Sequence, residues 1–279
     1  MRRSWVVALV LATFGAACDA PLAPAAPTRT VPATAAMAAS APATSAEPVA
    51  PAPVASTAPA PPAVPLRRPG AYANLDPADD YTVGPPDELP DCEEELAHAG
   101  VTFRASTLPV HTEHKGKIVC GAPQVVVYRQ GPGKIAYDPP PLLTCSMALA
   151  LASFERILQE EAVRLLRSPV VQIQQLGTYN CREMAAYPGW VSEHAYANAI
   201  DLARFTLKNG TAIRVMGDFD VAEGEPKRTA GVFLREVSRR AYDEDVFSTV
   251  LTPFFDAHHR DHFHLDLARY RSDGTRPES

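Results

Sequence analysis

Residues 192–205 read SEHAYANAIDLARF, which sets His194 and Asp201 seven positions apart with small residues between them. Much later in the chain, AHHRDHFHLDLA holds His258, His259, His262 and His264, with Asp266 two positions beyond. Neutral imidazole and carboxylate are nitrogen and oxygen donors suited to zinc, and three protein ligands with one open position make a hydrolytic zinc site. His194, Asp201 and one of the C-terminal histidines supply such a set. A strand through HFHLDLA puts His262, His264 and Asp266 on one face and Phe263, Leu265 and Leu267 on the other, because side chains alternate along a strand. One imidazole of that face can then bind the ion while its neighbour handles a proton, and Asp266 can orient either by a hydrogen bond. His258 and His259 read as structural or solvated, and HTEH at 111–114 as a solvated loop.

The elements that must carry these groups are legible from periodicity. YTVGPPDELPDCEEELAHAG reads as a turn and a short helix, with Asp91 as N-cap and Gly100 past its end. QVVVYR is a short strand. Between Ser146 and Leu166, the residues Met147, Leu151, Phe154, Leu158 and Leu165 recur at helical spacing and define one apolar face. SPVVQIQQLG returns to strand. AIDLARFTLKNGTAIRVM predicts a hairpin turning at Asn209-Gly210 in a type I′ turn, and Asp201 opens its first strand. Val232, Phe233, Val237 and Ala241 mark another helix, and HFHLDLA a last strand. Helices mixed with hairpins, without regular βαβ alternation, predict an α+β domain whose sheet is mainly antiparallel and flanked by helices.

Composition divides the chain. Its hydrophobic content of 46% can fill a core, but residues 19–69 are nearly all Ala, Pro, Thr, Ser and Val, which predicts a disordered spacer. Ahead of it, Arg2 and Arg3 precede an apolar run of thirteen residues, WVVALVLATFGAA, too short to span a bilayer. Residues 1–18 therefore read as an export signal, and FGAAC resembles a lipobox in which Cys18 is lipidated, simple signal cleavage being the other outcome. Residues 70–89 form a transition, 90–270 the folded domain and 271–279 a tail.

Cys92, Cys120, Cys145 and Cys181 remain, an even number in an exported chain, which favours two disulfides. Three connectivities are open, and the pairing by sequence neighbours, Cys92 with Cys120 and Cys145 with Cys181, is preferred. A net charge of -6 with no basic stripe argues against a nucleic-acid partner.

SEHAYANAID matches the Ser-x-His-x6-Asp pattern of zinc peptidases that include D-alanyl-D-alanine carboxypeptidases and penicillin-insensitive murein endopeptidases, and HFH resembles the His-x-His of the latter. More closely, LLTCSMALALASF, GTYNCRE, SEHAYANAIDLARF and AHHRDHFHLDLA together resemble the bacterial extensin-like C-terminal domain family over roughly residues 90–270. The resemblance implies a zinc-peptidase-like single domain with zinc held by His194, Asp201 and His264. It places His262 where the carboxypeptidases have a catalytic glutamate, Arg182 where an arginine stabilises the oxyanion, and Ala197 where a glycine is common. Ser192 is then placed to bond substrate. The expected activity is a zinc hydrolase of the periplasm or cell envelope cutting peptide stems of peptidoglycan, held to a membrane only through lipid on Cys18. The alternative is a cell-wall binding module stabilised by its metal and without catalysis.

Overall fold

The structure is a computed structural model that describes residues 84–277, apart from residues 114, 116, 117, 186, 188 and 223. The export signal, Cys18, the spacer and most of the transition segment lie outside the described residues.

A short helix α1 (Cys92–His98) opens the fold, with Asp91 at its N-cap position but making no side-chain cap bond. It stops where Gly100 takes a left-handed φ of 73°, so that the Gly100 and Val101 N–H groups close back on the Ala97 and Leu96 carbonyls at 3.0 and 2.9 Å. Strands β1 (Thr102–Glu113) and β2 (Ile118–Gln130) then form a long antiparallel pair, followed by β3 (Ala136–Asp138) and β4 (Leu142–Thr144). Helix α2 (Cys145–Leu166) is capped by Thr144, whose Oγ1 accepts from the Met147 N–H at 3.3 Å. Four of the five apolar positions expected to share its face, Met147, Leu151, Phe154 and Leu158, are fully buried, and Leu165 is partly buried at the helix end.

After α2 come β5 (Val170–Gly177), β6 (Ala199–Leu207), β7 (Ala212–Arg214), the single turn α3 (Val215–Asp218), α4 (Thr229–Asp243), β8 (Thr249–Leu251), β9 (Phe263–Asp266) and β10 (Ser272–Gly274). The strands make a three-stranded sheet in the order β1-β2-β4 and a seven-stranded sheet in the order β10-β8-β9-β6-β5-β3, with β7 added to β6. The domain is α+β, as expected. Pairing is antiparallel except where β3 meets β5 and β10 meets β8. Helices α2 and α4 cover the large sheet, where Phe233 stacks edge-on against Phe205 of β6 at 6.0 Å and Phe154 against Phe247 at 5.8 Å.

Three expectations need correction. The disulfides join Cys92 to Cys145 and Cys120 to Cys181, with Cα–Cα separations of 5.7 and 5.6 Å, not sequence neighbours. Cys145 begins α2, which packs on α1 and so meets Cys92, while β2 carries Cys120 away to the loop that holds Cys181. The hairpin at Asn209-Gly210 forms, but only Gly210 has a positive φ, 88°, whereas a type I′ turn needs two such residues. The Gly210 N–H bonds the Leu207 carbonyl at 2.9 Å and Asn209 Oδ1 accepts from the Thr211 N–H at 3.0 Å, so asparagine serves as a side-chain acceptor rather than a left-handed residue. Finally, the segment read as a tail contains β10, which extends the large sheet beside β8.

One buried carboxylate ties the middle of α2 to the strands beside it. Glu155 accepts from the Tyr128 and Tyr137 hydroxyls at 3.0 and 3.1 Å through Oε1 and from the Gly133 N–H at 2.7 Å through Oε2. Burial lifts its pKa above the usual carboxylate value despite these three donors.

Candidate metal centre

His194 and Asp201 come from one continuous piece of chain. His194 lies on a 3₁₀ turn, Glu193–Tyr196, and Ala197 reverses the chain with a φ of 55° before β6 begins at Ala199. That left-handed conformation is the one glycine adopts at little cost, a physical reason for glycine at this place in the peptidase pattern. Asn198 locks the junction: its amide donates to Glu193 Oε2 at 2.7 Å and to the Leu267 carbonyl at 3.2 Å, and its oxygen accepts from the Thr144 hydroxyl at 3.0 Å. Asp201 and His264 are directly opposite partners in the antiparallel pair of β6 and β9, so both side chains rise from the same face of the sheet.

These placements bring three atoms together. His264 Nδ1 lies 3.0 Å from Asp201 Oδ1 and 3.2 Å from His194 Nε2, and His194 Nε2 lies 3.3 Å from Asp201 Oδ1. Tetrahedral ligands bonded at roughly 2 Å to one ion stand about 3.3 Å apart, so the set fits a zinc ion without rearrangement of the backbone.

The proton inventory points the same way. His264 Nε2 is 2.8 Å from Asp266 Oδ2, and since a carboxylate accepts, that nitrogen carries the hydrogen. In the neutral ring, Nδ1 is then a lone pair facing Asp201 Oδ1 and His194 Nε2. A proton on one of the rings, or a divalent ion in its place, would bind these atoms together. Burial resists charge on His264, yet its bonds to Asp201 and Asp266 and their negative charges push its pKa up to about 10. Burial also opposes the charge of Asp201, but hydrogen bonds from His194 and His264 and the charges on those rings hold it well below the usual carboxylate range. A divalent ion bound here would have to displace the proton that His264 holds at neutral pH.

Asp201 and His264 open on a cleft of about 330 Å³, while His194 lies beneath them, 3% exposed. Arg182 and Ser192 are on its wall, and Asp266 reaches it from behind His264. Met184, Tyr187, Phe255 and Tyr270 add an apolar side. The wall carrying Arg182 and Ser192 is a narrow loop closed by a bridge between Glu183 and Val191 and by the Ser192 N–H on the Arg182 carbonyl at 3.1 Å.

His262 lines the cleft but lies one residue before β9, in a turn, so strand alternation does not place it. Its Nδ1 donates to Asp261 at 2.8 Å and its Nε2 stands 3.6 Å from Asp201 Oδ1. His259, which the sequence reading set aside, also lines the cleft. Its Nδ1 donates to Asp256 at 2.7 Å, leaving Nε2 as the nitrogen for chemistry, and its ring is 5.3 Å from His262 and 5.8 Å from His264. Burial, with the charge of His264, lowers the His259 pKa to about 4, so this ring is neutral at physiological pH. Asp256 also caps the 3₁₀ turn Ala257–His259 by accepting from the His258 and His259 N–H groups, and its spacing of three residues before His259 is the signal that could have revealed the pair. Glu193 was missed as well: it is buried beside Asp266 at the cleft floor, and burial together with the Asp266 charge raises its pKa to about 8. Of the HTEH segment, His111 and Glu113 lie at the exposed end of β1, outside this cleft.

The family model described as "Extensin-like protein C-terminus" matches residues 90–276. No curated protein and no solved structure matches the chain.

Proposed function

The chain belongs to the extensin-like C-terminal family, and from that premise we propose that its domain is a zinc-dependent hydrolase of the cell envelope, cleaving peptide bonds in peptidoglycan. The observation that carries the reading is the convergence of His194 Nε2, Asp201 Oδ1 and His264 Nδ1 to within 3.3 Å beside an open cleft. The motif resemblance to zinc peptidases of the cell wall supplies the substrate class. Two disulfides fit an oxidising compartment, and among the described residues no helix is long and apolar enough to cross a membrane. Export through residues 1–18, with lipid on Cys18, completes the proposal.

His194, Asp201 and His264 would hold the zinc, which would supply Lewis acidity at the scissile carbonyl and a more acidic water. The chain's own groups do the rest. His262, within reach of Asp201, takes the proton of the attacking water and returns it to the leaving amine, and the neutral His259, steered by Asp256, stands beside it to relay that proton. Arg182 presents a permanent positive charge on the wall where the oxyanion forms, and Ser192 bonds the substrate backbone. Asp266 fixes the His264 ring through Nε2.

The second reading, a binding module without catalysis, is favoured by one feature: an imidazole, His262, stands where the zinc peptidases that the motif resembles carry a glutamate base. Incubating the zinc-loaded protein with purified peptidoglycan and analysing released fragments by mass decides between them. Peptide fragments that appear with zinc and vanish with chelator support the hydrolase, and pull-down of intact peptidoglycan without any fragment supports the module.

A further inference from the structure

A second cluster of metal-ligand chemistry lies on the small sheet. His111 and Glu113 are two apart near the end of β1 and therefore share a face. The β1–β2 register sets His111 opposite Cys120, whose disulfide partner is Cys181. One ligand atom from each of His111, Glu113 and Cys181 lies within 4.8 Å of the others. His111 is already oriented as metal-binding imidazoles are: Nδ1 donates to the Pro109 carbonyl at 2.9 Å, so Nε2 keeps its lone pair and stands 3.4 Å from Glu113 Oε1. Only the sulfur is masked, because a thiolate is a ligand for zinc and a disulfide is a poor one.

We infer that reduction of Cys120–Cys181 opens a second site for a thiophilic divalent cation, built from Cys120, Cys181, His111 and Glu113. Cys181 is half-buried beside two exposed side chains, whereas Cys92 and Cys145 are each 2% exposed, so Cys120–Cys181 is the bridge a reductant reaches. The reductant is a dithiol: one of its thiolates attacks Cys181 Sγ, Cys120 leaves as a thiol, and the second thiol resolves the mixed disulfide to release Cys181. The two electrons come from the dithiol, which departs oxidised, and cation binding then expels the two cysteine protons. The cation replaces a covalent link with a coordinate one at the root of the loop that carries Arg182, next in sequence to Cys181.

The test uses the full chain carrying Cys18→Ser, stripped of metal, reduced with a dithiol under anaerobic conditions and titrated with cobalt(II). The reduced protein should take up one more cobalt than the oxidised protein, with thiolate-to-cobalt charge-transfer absorption that the His194, Asp201 and His264 set lacks. Replacing both Cys120 and Cys181 by Ser should abolish that absorption, and the double substitution His111→Ala with Glu113→Gln should weaken the added binding at least about tenfold. Equal cobalt uptake by both redox forms, or absorption indifferent to these substitutions, overturns the inference. Should reduction unfold the chain, Cys120→Ser exposes the Cys181 thiol without reductant, and absence of the thiolate signature in that variant overturns it as well.

Discussion

Two carboxylates of this domain, one buried and one half-buried, meet opposite neighbours. Glu155 is surrounded by donors, two tyrosine hydroxyls and one backbone N–H, and its pKa is raised by burial. Asp201 also loses water to burial, but hydrogen bonds from the His194 and His264 rings and the charges on them depress its pKa. The first arrangement is complete in itself: the acid ties β2, β3 and α2 together and needs nothing further. The second depends on positive charge held by its histidines. Burial alone does not separate the two acids; neighbours that titrate, and an opening onto a cleft, set Asp201 apart.

The largest expected break in that contrast comes from His264→Ala, which removes one donor and uncouples Asp266. Bound zinc, measured by metal analysis after dialysis, should fall from one equivalent to none, and with it all release of peptidoglycan fragments. Zinc retained at one equivalent in this variant would mean that the ion sits elsewhere.

His262→Ala separates proton handling from binding. It should keep its zinc but lose roughly two to four orders of magnitude in turnover of wall fragments, the usual contribution of general acid–base catalysis. If the loss follows His259→Ala instead, the pair with Asp256 is the proton carrier and His262 only supports Asp201.

Asp266→Asn asks how far the second carboxylate of the metal cluster matters. Zinc affinity measured by competition with a chelator should drop about 10- to 100-fold, because the amide no longer holds the His264 tautomer by accepting with full charge. An unchanged affinity would remove Asp266 from the site's electrostatics.

The smallest effect belongs to the self-contained acid. A folded pKa raised above the unfolded one means that the contribution of Glu155 to stability is fully present below the unfolded value and is lost as pH rises through the folded value. The denaturant midpoint of the wild type, compared with that of Glu155→Gln, should therefore decline as pH rises from about 4 towards neutrality. The substitution itself should cost about 1–3 kcal/mol at the acid end, since one amide hydrogen meets the Gly133 N–H. A wild type whose advantage over the variant grows with pH would contradict the raised pKa.

The difference between the two acids also explains what could be read without coordinates. His194, Asp201 and His264 are legible because a histidine and an aspartate in one small-residue segment, followed by an alternating HFHLD, state both ligand type and direction. The same alternation fails at His262, since β9 begins at Phe263 and the turn before it aims the ring. Helix α2 is legible from its apolar spacing, but Glu155 inside it is not, because its partners lie on β2, on β3 and in the loop between them. Disulfide pairing failed for a related reason: it depends on which strand end reaches which loop, and the register that sets His111 against Cys120 has no trace in cysteine spacing.

The position of Asp201 and His264 on paired central strands has a kinetic consequence. β9 is flanked by β8 on one side and β6 on the other, and β6 is itself held by β5. Amides of such interior strands exchange with solvent only through the largest, near-global openings, while loops and turns fray at far lower cost. Two of the three donors therefore cannot part by local breathing, and the third, His194, stands on a turn anchored by Asn198. The lifetime of an ion, were one bound here, would follow the excursions of that turn, and deuterium uptake across residues 192–198 would report on it more directly than uptake anywhere on β6 or β9.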